Sequence, residues 1–345
     1  MGIADMTNRE IAKSLHISPA ALSLILNNKH GVSDKTRSDV LSKLVSMGYG
    51  NLIKSGATTN EEKTICFVVY VKHGKILNQH PFFLLLMESI ELHARENGYS
   101  VTLLTIQASS DLEESRRSLE RIKPEGMIIF ATEMLDEDIE PFISLSIPYV
   151  VLDNDFPTID VNTVSINNEL GTFQAIEYLI SRGHNEIGYL ESEDYIASFG
   201  ERRDGYANAM QHFNKVLSRE NTYKVQFSEE GSYQDILQII KRKRKLPTAF
   251  VCDDDTIAIG AIRAFIQSGY SIPDDISIIG FNDRPNAALI SPSLTTINVP
   301  KASFGTCAVN SLISLISKRK SGHSERSVKL RIGTQLIIRD TVRSI

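Results

Sequence analysis

Thr7-Asn8-Arg9-Glu10-Ile11-Ala12-Lys13-Ser14-Leu15-His16-Ile17-Ser18-Pro19-Ala20-Ala21-Leu22-Ser23-Leu24-Ile25-Leu26-Asn27 spells two short helices around a tight turn. Thr7 and Glu10 have the spacing of a capping box, in which each side chain satisfies a free amide of the first turn. Ser18 followed by Pro19 reads as an N-cap with proline at the first helical position, where its missing N–H costs nothing. Ile11, Ala12, Leu15, Ile17, Leu22 and Leu26 can meet in a miniature core. The outer face of the second helix is then free to enter a DNA major groove. Plain helix packing produces the same apolar seam, so the decision rests on charge and on the architecture of the remaining chain.

The charge is unevenly spread. Residues 1–60 hold seven Lys or Arg (Arg9, Lys13, Lys29, Lys35, Arg37, Lys43, Lys54) against four acids, in a chain whose net charge is −5. A basic head on an acidic body suits a protein that presents one end to nucleic acid. With 345 residues the chain exceeds one ordinary core, so two or three domains are expected, and 42% hydrophobic content is ample to bury them. No apolar run approaches the roughly 20 residues of a membrane span. The first residues lack the apolar stretch of a secretory signal, which predicts a cytoplasmic location. Cys66, Cys252 and Cys307 are few and far apart, so they read as reduced thiols rather than zinc ligands or a disulfide.

A third helix is expected from about Ser33 to Met47, ending at Gly48. The polar, glycine-punctuated stretch around Gly50–Asn60 then reads as a linker. From Thr64 the pattern changes. Nine apolar, β-branched runs are expected as strands: 65–71, 100–105, 126–130, 149–152, 163–166, 186–190, 222–225, 249–252 and 276–280. Helical patterns lie between most of them, among them 82–97, 170–181, 203–213 and 257–267. The fold class is therefore α/β: a three-helix head followed by two doubly wound parallel-sheet halves. Ligands of such folds bind beyond the carboxyl ends of the strands. The polar residues gather at those points, in His80–Phe83, Asp153-Asn154-Asp155, Ser198–Asp204, Asp253-Asp254-Asp255 and Asn282-Asp283-Arg284.

Over nearly its whole length the chain resembles the LacI/GalR family of bacterial transcription regulators. The resemblance is carried in the head by Ile11-Ala12-Lys13, Ile17–Ser23, Leu26-Asn27, Gly31-Val32-Ser33, Thr36-Arg37, Val40-Leu41 and Gly48-Tyr49. In the body it is carried by Pro81-Phe82-Phe83, Ala94–Tyr99, Arg182–Ile187, Arg202–Tyr206, Ala258–Ala261, Ile279–Asp283, Leu294–Ile297 and Arg339-Asp340. It implies a helix-turn-helix domain over residues 1–50, a hinge over 51–62, and a body over 63–345 similar to periplasmic sugar-binding proteins. One half of the body is expected at about 63–161 with 292–322, the other at about 162–291 with 323–345. It further implies a homodimer on a double-stranded DNA operator, controlled by a small effector, with no cofactor and no metal.

Transferred position by position, the resemblance assigns Thr7, Ser18, Pro19, Ala20, Ala21, Ser23, Leu24, Asn27, Asn28, Lys29 and Arg37 to DNA. Two departures qualify it. Leu24 stands where the family commonly has arginine or another polar base reader, and neither it nor the alanines can make the bidentate bonds that discriminate guanine. In the hinge, Tyr49-Gly50-Asn51 lacks the family's proline, with Lys54 near its alanine and Ala57 near its leucine. Only Leu52 or Ile53 could wedge a minor groove, out of register. His16 falls where the family often has glycine and reads as structural.

For the effector the resemblance gives Asp153, Arg202, Asp254 and Asn282, with Phe82, Phe83 and Phe199 as apolar walls. Carboxylates, an amide and a guanidinium fork suit the hydroxyl pairs of a sugar, while Arg202 would equally pair with an acid or phosphate. Each residue also has a structural reading. Asp255 is expected to cap the helix starting near Thr256, Arg202 could bridge to Glu201 or Asp204, and the phenylalanines could be core. Lys241–Lys245 reads as a helix end complementing the helix dipole. A solute receptor without DNA work would share the body but not the head. An enzyme would need a phosphate loop or nucleophile elbow, and neither is found.

Overall fold

The computed structural model describes residues 7–27, 29, 31–47, 63–77, 81–109, 112–242, 245–321 and 326–345. They fall into two units, residues 1–63 and 64–345. The hinge residues Tyr49–Ala57, and Asn28 among the DNA candidates, lie outside the described residues.

The first unit holds α1 (Asn8–Ser14), α2 (Pro19–Leu26) and α3 (Asp34–Ser46). At the start of α1 the Glu10 carboxylate accepts from the Thr7 N–H (2.7 Å) and the Thr7 hydroxyl (2.8 Å). These bonds, the backbone one foremost, hold its carboxyl below the usual range. Ser18 Oγ accepts the Ala21 N–H at 3.0 Å, and Pro19 opens α2. Between the helices His16 turns through the left-handed region (φ 57°), the conformation that favours glycine there. Ile11, Ala12, Leu15, Leu22, Ile25, Leu26, Val40 and Leu44 form one buried cluster, so all three helices share a single small core.

The second unit opens with β1 (Thr64–Val71), α4 (Pro81–Glu96), β2 (Ser100–Gln107), α5 (Leu112–Ile122), β3 (Gly126–Phe130), α6 (Glu140–Ile143), β4 (Tyr149–Leu152) and β5 (Thr163–Ile166). It continues with α7 (Asn168–Ser181), β6 (Ile187–Ser192), α8 (Ala197–His212), β7 (Thr222–Val225), α9 (Glu229–Arg242), β8 (Ala249–Cys252), α10 (Asp255–Gln267), β9 (Ser277–Asn282) and β10 (Thr295–Asn298). It closes with α11 (Lys301–Lys320), β11 (Lys329–Ile332) and β12 (Gln335–Ile337).

Two six-stranded sheets result, in the orders β11-β5-β4-β3-β1-β2 and β12-β10-β9-β8-β6-β7. The described pairings are parallel except β10 with β12. Wholly buried runs such as Gly126–Phe130 and Ala249–Cys252 are the inner strands, as expected when helices cover both faces of a parallel sheet. At Gly280 an added Cβ would collide with Asp255 Oδ1, so only glycine lets α10 approach β9 that closely.

The chain passes between the sheets three times, and each crossing departs from expectation. Strand β5 belongs to the first sheet instead of opening the second half, so the first passage falls after Ile166. Strand β10 belongs to the second sheet, so the return comes after Asn298 rather than near residue 292. Strand β11 completes the first sheet and β12 the second, so residues 323–345 are shared between the lobes. Periodicity fails here for a physical reason: a short buried strand reads the same in either sheet, and only its hydrogen-bonded neighbour assigns it. One apolar cluster runs from Phe67 and Val164 through Ala175 and Leu179 on α7 to Tyr189 and Phe281, tying the lobes together beside the crossings.

Candidate functional site

The carboxyl ends of β3, β4 and β5 face those of β8 and β9 across a cleft between the two lobes. Phe83, Asp153, Phe199, Arg202, Asp254 and Asn282 all line it, as do Thr132, Ser198, Ile76 and Leu77. Phe82 lies on α4, but its side chain is outside the described residues. The cavity is about 30 Å³, room for no more than a few waters. A ligand the size of a sugar or nucleobase gains access only if the lobes part.

Two of the six hold unusual backbone. Asp153 (φ 71°) and Asn282 (φ 99°) each end their strand in the left-handed region, and residues kept there by their surroundings cluster at binding sites. Asp153 Oδ2 accepts the Thr132 hydroxyl at 2.5 Å. Burial pushes its carboxyl up to about 6, against the pull of Thr132 and Arg202.

Arg202 projects from α8, which begins at Ala197, so the polar stretch Ser198–Asp204 lies on a helix that was expected to start only near residue 203. The guanidinium donates Nε–H to Asn168 Oδ1 (2.9 Å) and one terminal N–H to the Asp253 carbonyl. It stacks 3.8 Å from the centre of the Phe281 ring. It makes neither of the expected bridges: Glu201 accepts from Asn168 (2.7 Å) and Arg331 (3.4 Å) instead. Only 5% of Arg202 is exposed, and that burial lowers its pKa.

The triple aspartate is three different residues in function. Asp254, rather than the expected Asp255, caps α10, accepting the Thr256 N–H at 2.7 Å. The backbone of β8 swings Asp254 alone into line with the first free amides, a choice that spacing could not make. Asp254 also accepts from Asn282 Nδ2 (2.5 Å) and Arg284 (2.9 Å), so cap and cleft residue are one. Asp253 accepts the Tyr189 hydroxyl (2.5 Å) and the Ser192 N–H (2.7 Å). Asp255 accepts the Thr296 hydroxyl (2.5 Å) and the Arg284 N–H (2.7 Å). Burial drives Asp253 up to about 7. Burial and the neighbouring Asp254 drive Asp255 up to about 7. Among the described residues no His, Cys, Asp or Glu group is arranged to hold a metal.

Several contributors were not foreseen. Lys301, at the start of α11, donates to the Asn282 carbonyl at 2.7 Å. Glu133, buried just past β3, is the anchor of the β1–α4 segment. Its carboxylate accepts the N–H groups of Lys72, His73 and Gly74 at one oxygen and of Ile76 and Leu77 at the other, at 2.9–3.3 Å. These bonds outweigh burial and leave its pKa lowered. The anchored segment reaches over the cleft: Ile76 is buried within the second lobe's core cluster beside Ile196 and Phe199, and Lys75 Nζ meets Asp194 Oδ1 at 2.6 Å. An acid three residues past a buried strand was the available signal for Glu133. Arg284 was in view, in a polar strand-end stretch.

In the first unit, Ser18, Pro19, Ala20 and Ser23 are exposed along α2, with Ala21, Leu24 and Asn27 half-buried. Thr7 and Lys29 are exposed as well. Arg37 is half-buried and donates to the Lys29 carbonyl at 2.5 Å, bracing the turn between α2 and α3. Among the described residues no helix is long and apolar enough to cross a membrane.

Known proteins match this arrangement. The family description "periplasmic binding protein-like domain" matches residues 176–342. The chain is 27% identical over 341 residues to the HTH-type transcriptional repressor PurR of Actinobacillus pleuropneumoniae serotype 3, covering 98% of this chain and 99% of that one. It is 28% identical over 342 residues to the ribose operon repressor of Haemophilus influenzae, with the same shares covered. Among solved structures, the lac repressor dimer bound to operator and the anti-inducer ONPF superposes with a TM-score of 0.73 at 21% identity, over 99% of this chain and 100% of that one. The transcriptional regulator CelR in complex with cellobiose gives 0.70 at 21% identity, over 97% and 99%. At that identity the structures speak for the fold.

Proposed function

We propose that the chain is a member of the LacI/GalR family of bacterial transcription regulators, an operator-binding repressor governed by a small molecule held between its lobes. The head, residues 1–50, docks α2 in the major groove, and Thr7, Ser18–Ala21, Ser23, Leu24, Asn27–Lys29 and Arg37 make the contacts to bases and phosphates. The protein acts in the cytoplasm as a homodimer, since one such head holds DNA weakly and two read paired half-sites. Leu84 and Leu103, 66% and 50% exposed on α4 and β2, offer apolar surface for that pairing. It is not an enzyme.

The effector is a sugar or sugar derivative. Asp153, Asp254 and Asn282 bond its hydroxyls, Arg202 supplies the fork, and Phe83, Phe199 and the Phe82 position cover its apolar face. Effector and operator then bias one equilibrium between lobe arrangements, with a coupling of about 1–3 kcal/mol acting in both directions.

The convergence of six of the seven expected effector residues around one cavity carries this reading. Gel-shift titration of the full chain on promoter fragments at several salt concentrations tests the DNA half. A thermal-shift screen of sugars and nucleobases tests the effector half. The reading fails if affinity neither falls with salt nor discriminates among fragments. It is supported if deleting residues 1–62 abolishes DNA binding while the ligand-induced thermal shift survives.

A further inference from the structure

The face that α2 presents contains no charged side chain, although its position at the groove calls for base recognition. From Ser18 to Asn27 the inward residues Leu22, Ile25 and Leu26 are buried. The outward ones are two serines, one asparagine, a proline, two alanines and a leucine. Their hydrogen-bonding capacity is partly committed. Ser18 Oγ accepts the Ala21 N–H at 3.0 Å, and Asn27 donates Nδ2–H to the Ser23 carbonyl at 2.8 Å. Leu24 leans toward the following turn, where a Cβ on Gly31 would lie 3.2 Å from its Cδ1.

Guanine offers the major groove two adjacent acceptors, which an arginine or lysine fork satisfies, while thymine offers a methyl group that apolar side chains touch. This face has the second chemistry and lacks the first. Resting on the regulator reading above, we propose that the recognition helix selects A·T pairs by burying thymine methyl groups against Pro19, Ala20, Ala21 and Leu24. The Ser18 and Ser23 hydroxyls and the Asn27 carbonyl oxygen serve adjoining base edges. Lys29 and the exposed cations Arg9 and Lys13 act on phosphates, which hold the head without reading sequence.

The test selects preferred duplexes for the full-length protein from a random library, then edits them one atom group at a time. Deoxyuridine in place of thymidine removes only the methyl; 7-deazaguanine in place of guanine removes only the N7 acceptor. Affinity by fluorescence anisotropy is expected to fall about three- to fivefold for each contacted methyl removed, the size of one buried methyl group, and to ignore 7-deazaguanine in the half-site core. Ala20→Arg, at an exposed position that packing does not need, should move selection toward guanine and create sensitivity to 7-deazaguanine. Selected half-sites whose binding requires guanine N7, or tolerates every uridine, overturn the proposal and leave the regulator reading standing. Selection of no duplex at all, with affinity independent of salt, overturns both.

Discussion

Arg202 shows how one side chain can serve the cleft and the scaffold together. Its bonds to Asn168 and the Asp253 carbonyl and its stacking on Phe281 need a planar fork, which lysine cannot supply. Arg202→Lys is expected to lower unfolding stability by about 2–4 kcal/mol, because buried acceptors lose their donors. It should also erase the ligand-induced thermal shift, both measurable by denaturant titration and thermal scanning. The buried aspartates set a pH dependence. Asp153 is raised to about 6, and Asp253 and Asp255 to about 7, by burial above all. Between the ordinary carboxylate value and these raised ones the folded chain binds more protons than the unfolded chain, so their contribution makes stability fall as pH rises. Most of that fall has occurred by about pH 6 for the first and about 7 for the other two. Asp255→Asn should flatten the loss of melting temperature between pH 4 and 7, and an unchanged slope would refute the assignment. At this scale the sequence pointed to the right cluster but not to the division of labour within it. Asp254 and Asp255 both stand within two residues of Thr256, and only the folded backbone decides which one caps.

Elements that bury both faces were legible from the chain alone. Strands β3, β4, β5 and β8 have their expected bounds, because a short β-branched run sealed on both sides admits little else; the edge strand β7 has them too, although Lys224 is exposed. Strand β10 was missed although its first three residues are buried, because two of them are threonines; β11 and β12 were missed as edge strands with exposed positions, and Lys329–Ile332 carries two cations among its four residues. The segment from Lys72 to Leu77 was equally silent, since its order comes from a carboxylate some 60 residues away rather than from its own pattern. Glu133→Gln replaces one acceptor oxygen by a donor facing N–H groups. It should destabilise the body by about 2–4 kcal/mol, read from the urea midpoint. Lys75→Ala removes an ion pair whose lysine is exposed and which contributes little to folding. That pair spans the lobes, however. Its loss should therefore leave the urea midpoint in place while raising the radius of gyration of residues 63–345 in X-ray scattering. An unchanged radius would show that the contact does not hold the cleft closed.

For the whole molecule, sign asymmetry and motif order carried the reading further than any single residue. The basic head, the polar strand ends and the alternation of strands with helices are long-range patterns that survive 27% identity to a relative. The passages between sheets were hidden for the opposite reason, being decided by pairing between distant segments. A regulator of this construction should lose DNA affinity linearly on a log–log plot against salt. Lys29→Ala should reduce that slope by about 1–2 in a dimer, leaving sequence preference intact; a changed preference would make Lys29 a base reader.

The three passages have a consequence for biosynthesis. Each sheet takes its outermost strand, β11 or β12, from residues 329–337, so neither lobe is whole until those residues clear the ribosome. The three-helix unit emerges with its own core far earlier. At roughly 5–20 residues per second the interval is about 15–55 s. During that time a nascent chain carries a folded three-helix head without either finished lobe.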